Sequence, residues 1–455
     1  MAVPPHFAMR PLAALAVLLA SAAAPAAQAP RPNPDAPATA YVGGLWWDGE
    51  RFTPRDTTWA EAGVFVEGPL AEATRVVELG GAHVVPPYGD AHTHMLSDSW
   101  QGPRHAELFV RDGVFYVLVL TNRHSWAEGV IDQFRGPGSV DVAYAHGGWT
   151  SPRTHPVQVY EWQALGLVGR DLTDGDKRAI QESRAAADDA YFEVASLGDL
   201  DAKWPTFLSH APDVVKVYLA DAAAERPLSE SGFTDIEEGR GLAPDVLREV
   251  VRRARAAGLR VFAHVETGAD VALAVASGVD GFAHLPGYTR SDGADSLYLV
   301  PDSTVAEMAR RGVVVVPTSL VSANRGMDRP AREALARDLH RRQVRRLHAA
   351  GVPVAVGADR WNQTSKAEAD FMARHGFFDR PTLLDLWTRV TPQAVFPGRA
   401  VGRLAPGFEA SLLALACDPL AEWSCTERIE HREKQGVDLG ESAAPAETAS
   451  GPRGP

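Results

Sequence analysis

Hydrophobic and polar positions along the chain fall into three regimes. At the N-terminus Arg10 precedes an unbroken apolar run, Leu12 to Ala24, followed by alanine-rich sequence. That layout predicts a secretory signal peptide over residues 1–29, and the run of about 13 residues is short for a membrane span. Cleavage is left open: Ala27-Gln28-Ala29 fits the pattern but Pro30 follows it, so Ala24 and Ala26 stay as alternatives. Residues 30–40 are Pro/Ala-rich and are expected to be a linker.

The second regime occupies 41–85 and 404–440. Short apolar runs such as Gly63-Val64-Phe65-Val66, Arg75 to Leu79 and Leu412 to Ala416 alternate with Gly and Pro and read as short strands. The two segments are expected to form one small β-sandwich-like domain, with the rest inserted between them. The tail, 441–455, is Ala/Pro/Glu/Ser/Gly-rich and is expected to be disordered.

The third regime, 86–403, repeats an apolar run followed by a segment of helical period. Eight runs stand out: Val84 to His94, Val114 to Thr121, Val142 to Gly147, Val214 to Leu219, Arg260 to His264, Gly281 to His284, Val313 to Pro317 and Val352 to Asp359. Helices are expected over Pro244–Ala257, Pro301–Arg311 and Pro330–Ala350, each followed by glycine. Eight strand–helix repeats predict an α/β fold, a (β/α)8 TIM barrel rather than an open doubly wound sheet. No Gly-x-Gly-x-x-Gly turn follows the first strand to favour the latter.

Composition narrows the partners. The chain has 455 residues, 45% hydrophobic and 23% charged, with a formal net charge of −13. That balance argues against nucleic acid or an anionic membrane surface as the main partner. The arginine-rich 330–350 helix lacks interleaved aromatics and reads as a solvated face. Oligomeric state stays open. Cys417 and Cys425 are eight residues apart, either paired in an oxidising compartment or two buried thiols.

Chemistry gathers at the strand ends. In Asp90-Ala91-His92-Thr93-His94 the two imidazoles point the same way on an extended strand, with Asp90 behind them. Alone, a His-x-His carries little weight. His264, His284 and Asp359 also close apolar runs, and barrel geometry would bring all of these ends to one mouth. The donor set suits zinc, with manganese, iron and nickel as alternatives.

Lys216 interrupts Val214-Val215-Lys216-Val217-Tyr218-Leu219, in a chain with only five lysines, at 177, 203, 216, 366 and 434. Buried among apolar residues, a lysine loses charge stabilisation, and its neutral amine can take up carbon dioxide as a carbamate. The plainer reading is a strand-end lysine paired with Asp213 or Asp221.

The sequence resembles the metal-dependent amidohydrolase superfamily, in its imidazolonepropionase-like and prolidase-like branch. The stretches that carry the resemblance are Val85 to His94, Asp213 to Tyr218, Val261 to Thr267, Gly278 to His284, Val356 to Asp359, Val401 to Gly407 and Cys417 to Leu420. The resemblance implies that His92, His94 and Asp359 hold the more buried metal and His264 and His284 the second. Carboxylated Lys216 would bridge them. It implies two zinc ions, or one if Lys216 is not carboxylated.

Two departures are visible. Pro87-Tyr88-Gly89 replaces a Pro-Gly-apolar-apolar pattern, and Glu409-Ala410-Ser411-Leu412 replaces an Ala-Asp-Leu run.

His155, Tyr218, Tyr288 and Arg360 are candidates to touch substrate, with Glu266 and Asn362 beside them. His105, His124, His340 and His348 are expected at the surface. The reading is an exported hydrolase, periplasmic or secreted, that cleaves an amide, cyclic amide or short peptide. Metal-activated hydroxide would attack, with Asp359 as general acid/base. The rivals are a one-metal deaminase or cyclic-amide hydrolase, and a non-catalytic exported binding protein.

Overall fold

The computed structural model describes residues 28–70, 72–222, 239–287, 295–324 and 330–440. The expected tail and all but Gln28 and Ala29 of the expected leader lie outside the described residues. Among the described residues no helix is long and apolar enough to cross a membrane.

The repeats of the third regime form parallel strands. Tyr88–Thr93 pairs with Val114–Val119, which pairs with Asp141–Tyr144. Asp213 N then donates to Tyr144 O at 2.8 Å, which carries the bonding on to the next run. Val214–Tyr218 pairs with Arg260–His264, then Gly281–Phe282 and Val314–Val315 follow in order. Val315 bridges Val354, and Ala91 N donates to Val356 O at 2.9 Å, which returns the bonding to the first strand. One buried cluster takes residues from all eight runs: Ala91, Leu118, Leu120, Ala143, Ala145, Val214, Phe262, Ala283, Val316 and Ala355.

The helices between them follow local rules. In Pro244–Ala256 proline opens the first turn, and Val246, Leu247, Val250, Val251 and Ala254 are buried at helical spacing. Three helices stop the same way, at Gly258, Gly312 and Gly351, all with positive φ. The apolar residue after each glycine bonds back to the last turn, as Val313 N does to Met308 O at 2.9 Å. Strand or bridge follows one or two residues later, at Arg260, Val314 and Val354.

Two expectations are corrected here. The run from Val84 to His94 is two strands, because Pro86 and Pro87 have no N–H to continue a ladder. His83–Val85 joins a different sheet, where it pairs with Leu412–Leu415 and with Leu45–Trp47. N- and C-terminal segments therefore share that six-stranded sheet, while a second sheet holds Val64–Val66, Thr57–Glu61, Thr39–Val42 and Arg75–Glu78. Nor is 30–40 a free linker. Ala29 bridges Arg399, Arg31 N donates to Glu409 at 2.9 Å, Asn33 bonds Gln435 O at 3.1 Å, and strand begins at Thr39.

Cys417 and Cys425 form a disulfide.

At the end of the strands where Asp141 lies, a buried ion cluster ties the segments together. Arg399 donates to Asp141 at 2.7 Å and to Glu409 at 2.7 Å, and Lys434 Nζ lies 3.1 Å from Asp141. Lys434 also donates to Ser139 O at 2.6 Å.

Candidate metal centre

The opposite strand end gathers the histidines. His92 Nδ1 lies 2.7 Å from Ala283 O, and His94 Nδ1 lies 3.0 Å from Thr121 O. A carbonyl only accepts, so both rings carry their proton on Nδ1 and turn an Nε2 lone pair inward. Those Nε2 atoms stand 3.4 and 2.9 Å from Asp359 Oδ1. Two lone pairs and a carboxylate oxygen facing one another repel unless a proton or a cation sits among them. The three ligand atoms lie within 4.8 Å of one another, and this donor set of two imidazoles and a carboxylate fits a divalent metal.

His284 Nε2 approaches the other Asp359 oxygen at 3.8 Å, and its Nδ1 meets Thr318 Oγ1 at 2.7 Å. The rings continue as a chain, with His92 to His284 centroids at 4.8 Å, His284 to His264 at 4.9 Å and His264 to His155 at 4.7 Å. Tyr218 packs against both His155 and His264 at 5.3 Å. Lys216 Nζ lies 5.2 Å from the Tyr218 ring centre.

Local conformation sets these positions. Asp359 adopts φ of +50°, which a short polar side chain tolerates better than most, and its N–H donates to His92 O at 2.7 Å. Just before it, a Cβ on Gly357 would stand 2.6 Å from His92 N, so only glycine lets the two strands come this close.

Burial governs the electrostatics. It lowers the His92 imidazole to about 3 and the His284 imidazole well below its usual value, so both rings are neutral ligands. Burial pushes the Lys216 amine down to about 7, with Asp359 opposing. Asp90, buried behind His92, is pushed up to about 8 by burial, against the N–H groups of His92 and Ala358.

The structure thus brings His92, His94 and Asp359 together as ligand atoms, with His284 beside Asp359, while His264, His155 and Tyr218 continue the row of rings and Lys216 lies by the Tyr218 ring. Of the two alternative partners for Lys216, Asp213 accepts from Tyr144 N at 2.9 Å and from Arg135 at 3.3 Å. Arg360 anchors the turn: its guanidinium donates to Leu320 O at 3.0 Å and its carbonyl accepts from Thr93. Asn362 is exposed, and Tyr288 lies outside the described residues.

One of the four surface assignments is corrected, that of His340. His340 is fully buried against Ser319, and His105, His124 and His348 are half-buried.

Sequence reading passed over Thr121 and Thr318, both polar residues closing apolar runs as His264 and Asp359 do. It also passed over Trp361, whose ring stacks on His94 at 4.8 Å while 46% exposed.

Comparison with known proteins decides the family. The amidohydrolase family profile matches residues 215–436. The chain is 28% identical over 367 residues to the imidazolonepropionase of Chromobacterium violaceum, covering 76% of this chain and 81% of the relative. It is 25% identical to that of Acidiphilium cryptum over 426 residues, covering 89% and 96%. The chain belongs to the amidohydrolase superfamily.

As an amidohydrolase it is a hydrolase acting on carbon–nitrogen bonds. The fold is shared with a crystal structure of an Xaa-Pro dipeptidase with bound methionine in the active site. There the TM-score is 0.66 at 15% identity, over 88% of this chain and 99% of that one. The A. niger ochratoxinase matches at TM-score 0.65 and 16% identity, over 89% and 96%.

Proposed function

We propose that this amidohydrolase is an exported enzyme, built on a (β/α)8 barrel, that hydrolyses the amide, cyclic amide or short peptide bond of a small molecule. One observation carries the reading: His92 and His94 are locked as inward-facing Nε2 ligands against the Asp359 carboxylate. His92, His94 and Asp359 would hold one divalent cation, most simply zinc. His264 and His284 would hold a second, with Lys216 carboxylated between them. Such a centre supplies Lewis acidity toward the scissile carbonyl and makes water acidic enough to attack near neutral pH.

The chain's own residues do the rest. Asp359 takes the proton released as the water oxygen bonds the carbonyl carbon, and passes it to the nitrogen as the carbon–nitrogen bond breaks. Neutral Lys216 is the form that reacts with carbon dioxide. His155 and Tyr218, lying against His264, border the space a substrate would enter. The relatives named imidazolonepropionase favour a cyclic amide, and the neighbour named Xaa-Pro dipeptidase a dipeptide.

A one-metal reading has its own support. His264 Nε2 faces Glu266 at 2.9 Å rather than Asp359, so a single ion on the His92, His94 and Asp359 side would leave that pair undisturbed.

The test is metal content of the purified protein together with a screen of cyclic amides, Xaa-Pro dipeptides and N-acyl amino acids. Two equivalents with bicarbonate-dependent turnover support the bridged centre. One equivalent with bicarbonate-independent turnover supports the one-metal reading. Metal binding without turnover across the panel would leave a binding protein. Export is checked by fractionating the native host and sequencing the mature N-terminus.

A further inference from the structure

We infer that Thr318 and Glu368 are positioning residues for His284 as a metal ligand, Thr318 by direct contact and Glu368 through Thr318. The inference rests on the metal reading above.

The ligand imidazoles are not oriented alike. His92 and His94 are fixed by main-chain carbonyls, which admit only one tautomer. His284 Nδ1 meets a hydroxyl, Thr318 Oγ1 at 2.7 Å. A hydroxyl can donate or accept, so the ring's orientation depends on where Thr318 holds that oxygen. Thr318 is fully buried and follows the strand Val314–Val315 through Val316 and Pro317.

Thr318 adopts φ of +47°. A β-branched residue avoids the left-handed region, and such a conformation persists only where its surroundings over-determine it. The restraint comes from Glu368, fifty positions on in Ser365–Arg374. One of its oxygens accepts Ser319 N at 2.7 Å and the other accepts Leu320 N at 2.6 Å. A fully buried carboxylate thus takes both N–H groups that follow Thr318 and fixes the turn.

The helix carrying Glu368 is itself tied to the first strand of the site. Ser365 Oγ donates to Gly89 O at 2.8 Å and accepts Trp387 Nε1 at 2.8 Å. Ser319 Oγ also meets buried His340 at 3.2 Å, which fixes the turn from a further helix.

The experiment strips the full chain of metal and titrates it with cobalt(II), reading affinity and ligand-field absorption in wild type, Thr318→Val, Thr318→Ser and Glu368→Gln. Loss of an outer partner of a ligand histidine typically weakens metal binding about 10–100-fold. Thr318→Val and Glu368→Gln should weaken the ion held by His284 by that factor. The ion on His92 and His94 should keep its affinity, and Thr318→Ser, which retains the hydroxyl, should match wild type within about threefold.

Wild-type affinity at every site in Thr318→Val overturns the inference, as does equal weakening of both ions. A wild type that takes one equivalent overturns the two-ion count alone; the inference then stands if Thr318→Val weakens that ion tenfold or more and falls if it does not. A wild type that takes no cobalt overturns both.

Discussion

The two ends of the central strands both bury charged and polar side chains, and they do so by opposite rules. At the Asp141 end each charge meets its complement: Arg399 between Asp141 and Glu409, Lys434 against Asp141 and a main-chain carbonyl. At the histidine end like meets like. Inward lone pairs of His92 and His94 face the Asp359 carboxylate, beside a lysine with no ion pair among the described residues. The first end is complete as a protein and joins the terminal segments to the rest. The second is complete only with something cationic in it. Buried groups that leave their charge uncompensated are the mark of a working site, whereas compensated ones hold structure.

The largest effect that would test this contrast is on turnover. Asp359→Asn should lower kcat/KM by about a hundred- to ten-thousand-fold in steady-state assays with whichever substrate the screen finds, with the melting temperature little changed. Near-normal activity would remove Asp359 from the chemistry.

At the other end, Asp141→Ala should leave two buried cations short of a partner and destabilise the fold by about 3–5 kcal/mol in urea titration. Its kcat should not move in the fraction that stays folded.

Proton linkage sharpens the same end. Burial acts upward on Asp141, but Lys434 and Arg399 hold it below the usual range. Its contribution is present above the unfolded pKa and is lost as pH falls through the folded one. Lys434 runs the other way, because burial lowers it to about 8 against an unfolded value of about 10.4. Between those values the unfolded chain binds more protons, so stability rises with pH. Lys434→Met should abolish that alkaline rise in denaturation curves taken across the window.

Chelation probes the histidine end. If metal stands at a hundred times its Kd, removing it should lower stability by about 2.7 kcal/mol, read as a fall in Tm that added zinc reverses. The loss from Asp141→Ala should not be reversed by zinc.

The smallest expected effect is at the rim. Trp361→Ala should change KM by a few-fold and leave metal content alone, since its ring covers His94 without supplying a ligand atom.

Much of the histidine end was readable because its residues interrupt a pattern. His264, His284 and Asp359 close apolar runs, and Lys216 breaks one in a chain that otherwise prefers arginine. Thr121 and Thr318 stand at equivalent positions, yet a threonine at a strand end is too common to signal anything until its oxygen is seen against a ring or between tyrosine hydroxyls, as Thr121 Oγ1 is at 2.7 Å from Tyr160 and 3.1 Å from Tyr218. His340 misled because it sits among arginines on a long helix, whose periodicity does not show which side faces the core. The segment at 30–40 misled because Pro and Ala give no period, while what holds it is side chains and main chain from residues about 370–400 positions away.

The sequence by itself determined the alternation of strands and helices, the glycine stops, and which residue types are delivered at the strand ends, because each follows from the local period and local backbone restriction. Only the tertiary structure decided which of those residues meet. It gave His92 and His94 their tautomers through Ala283 and Thr121, held Thr318 in place from Glu368, and paired every charge at the Asp141 end. The reason is distance along the chain. Orientation and charge compensation are settled by contacts between segments tens to hundreds of residues apart, and no local pattern specifies those.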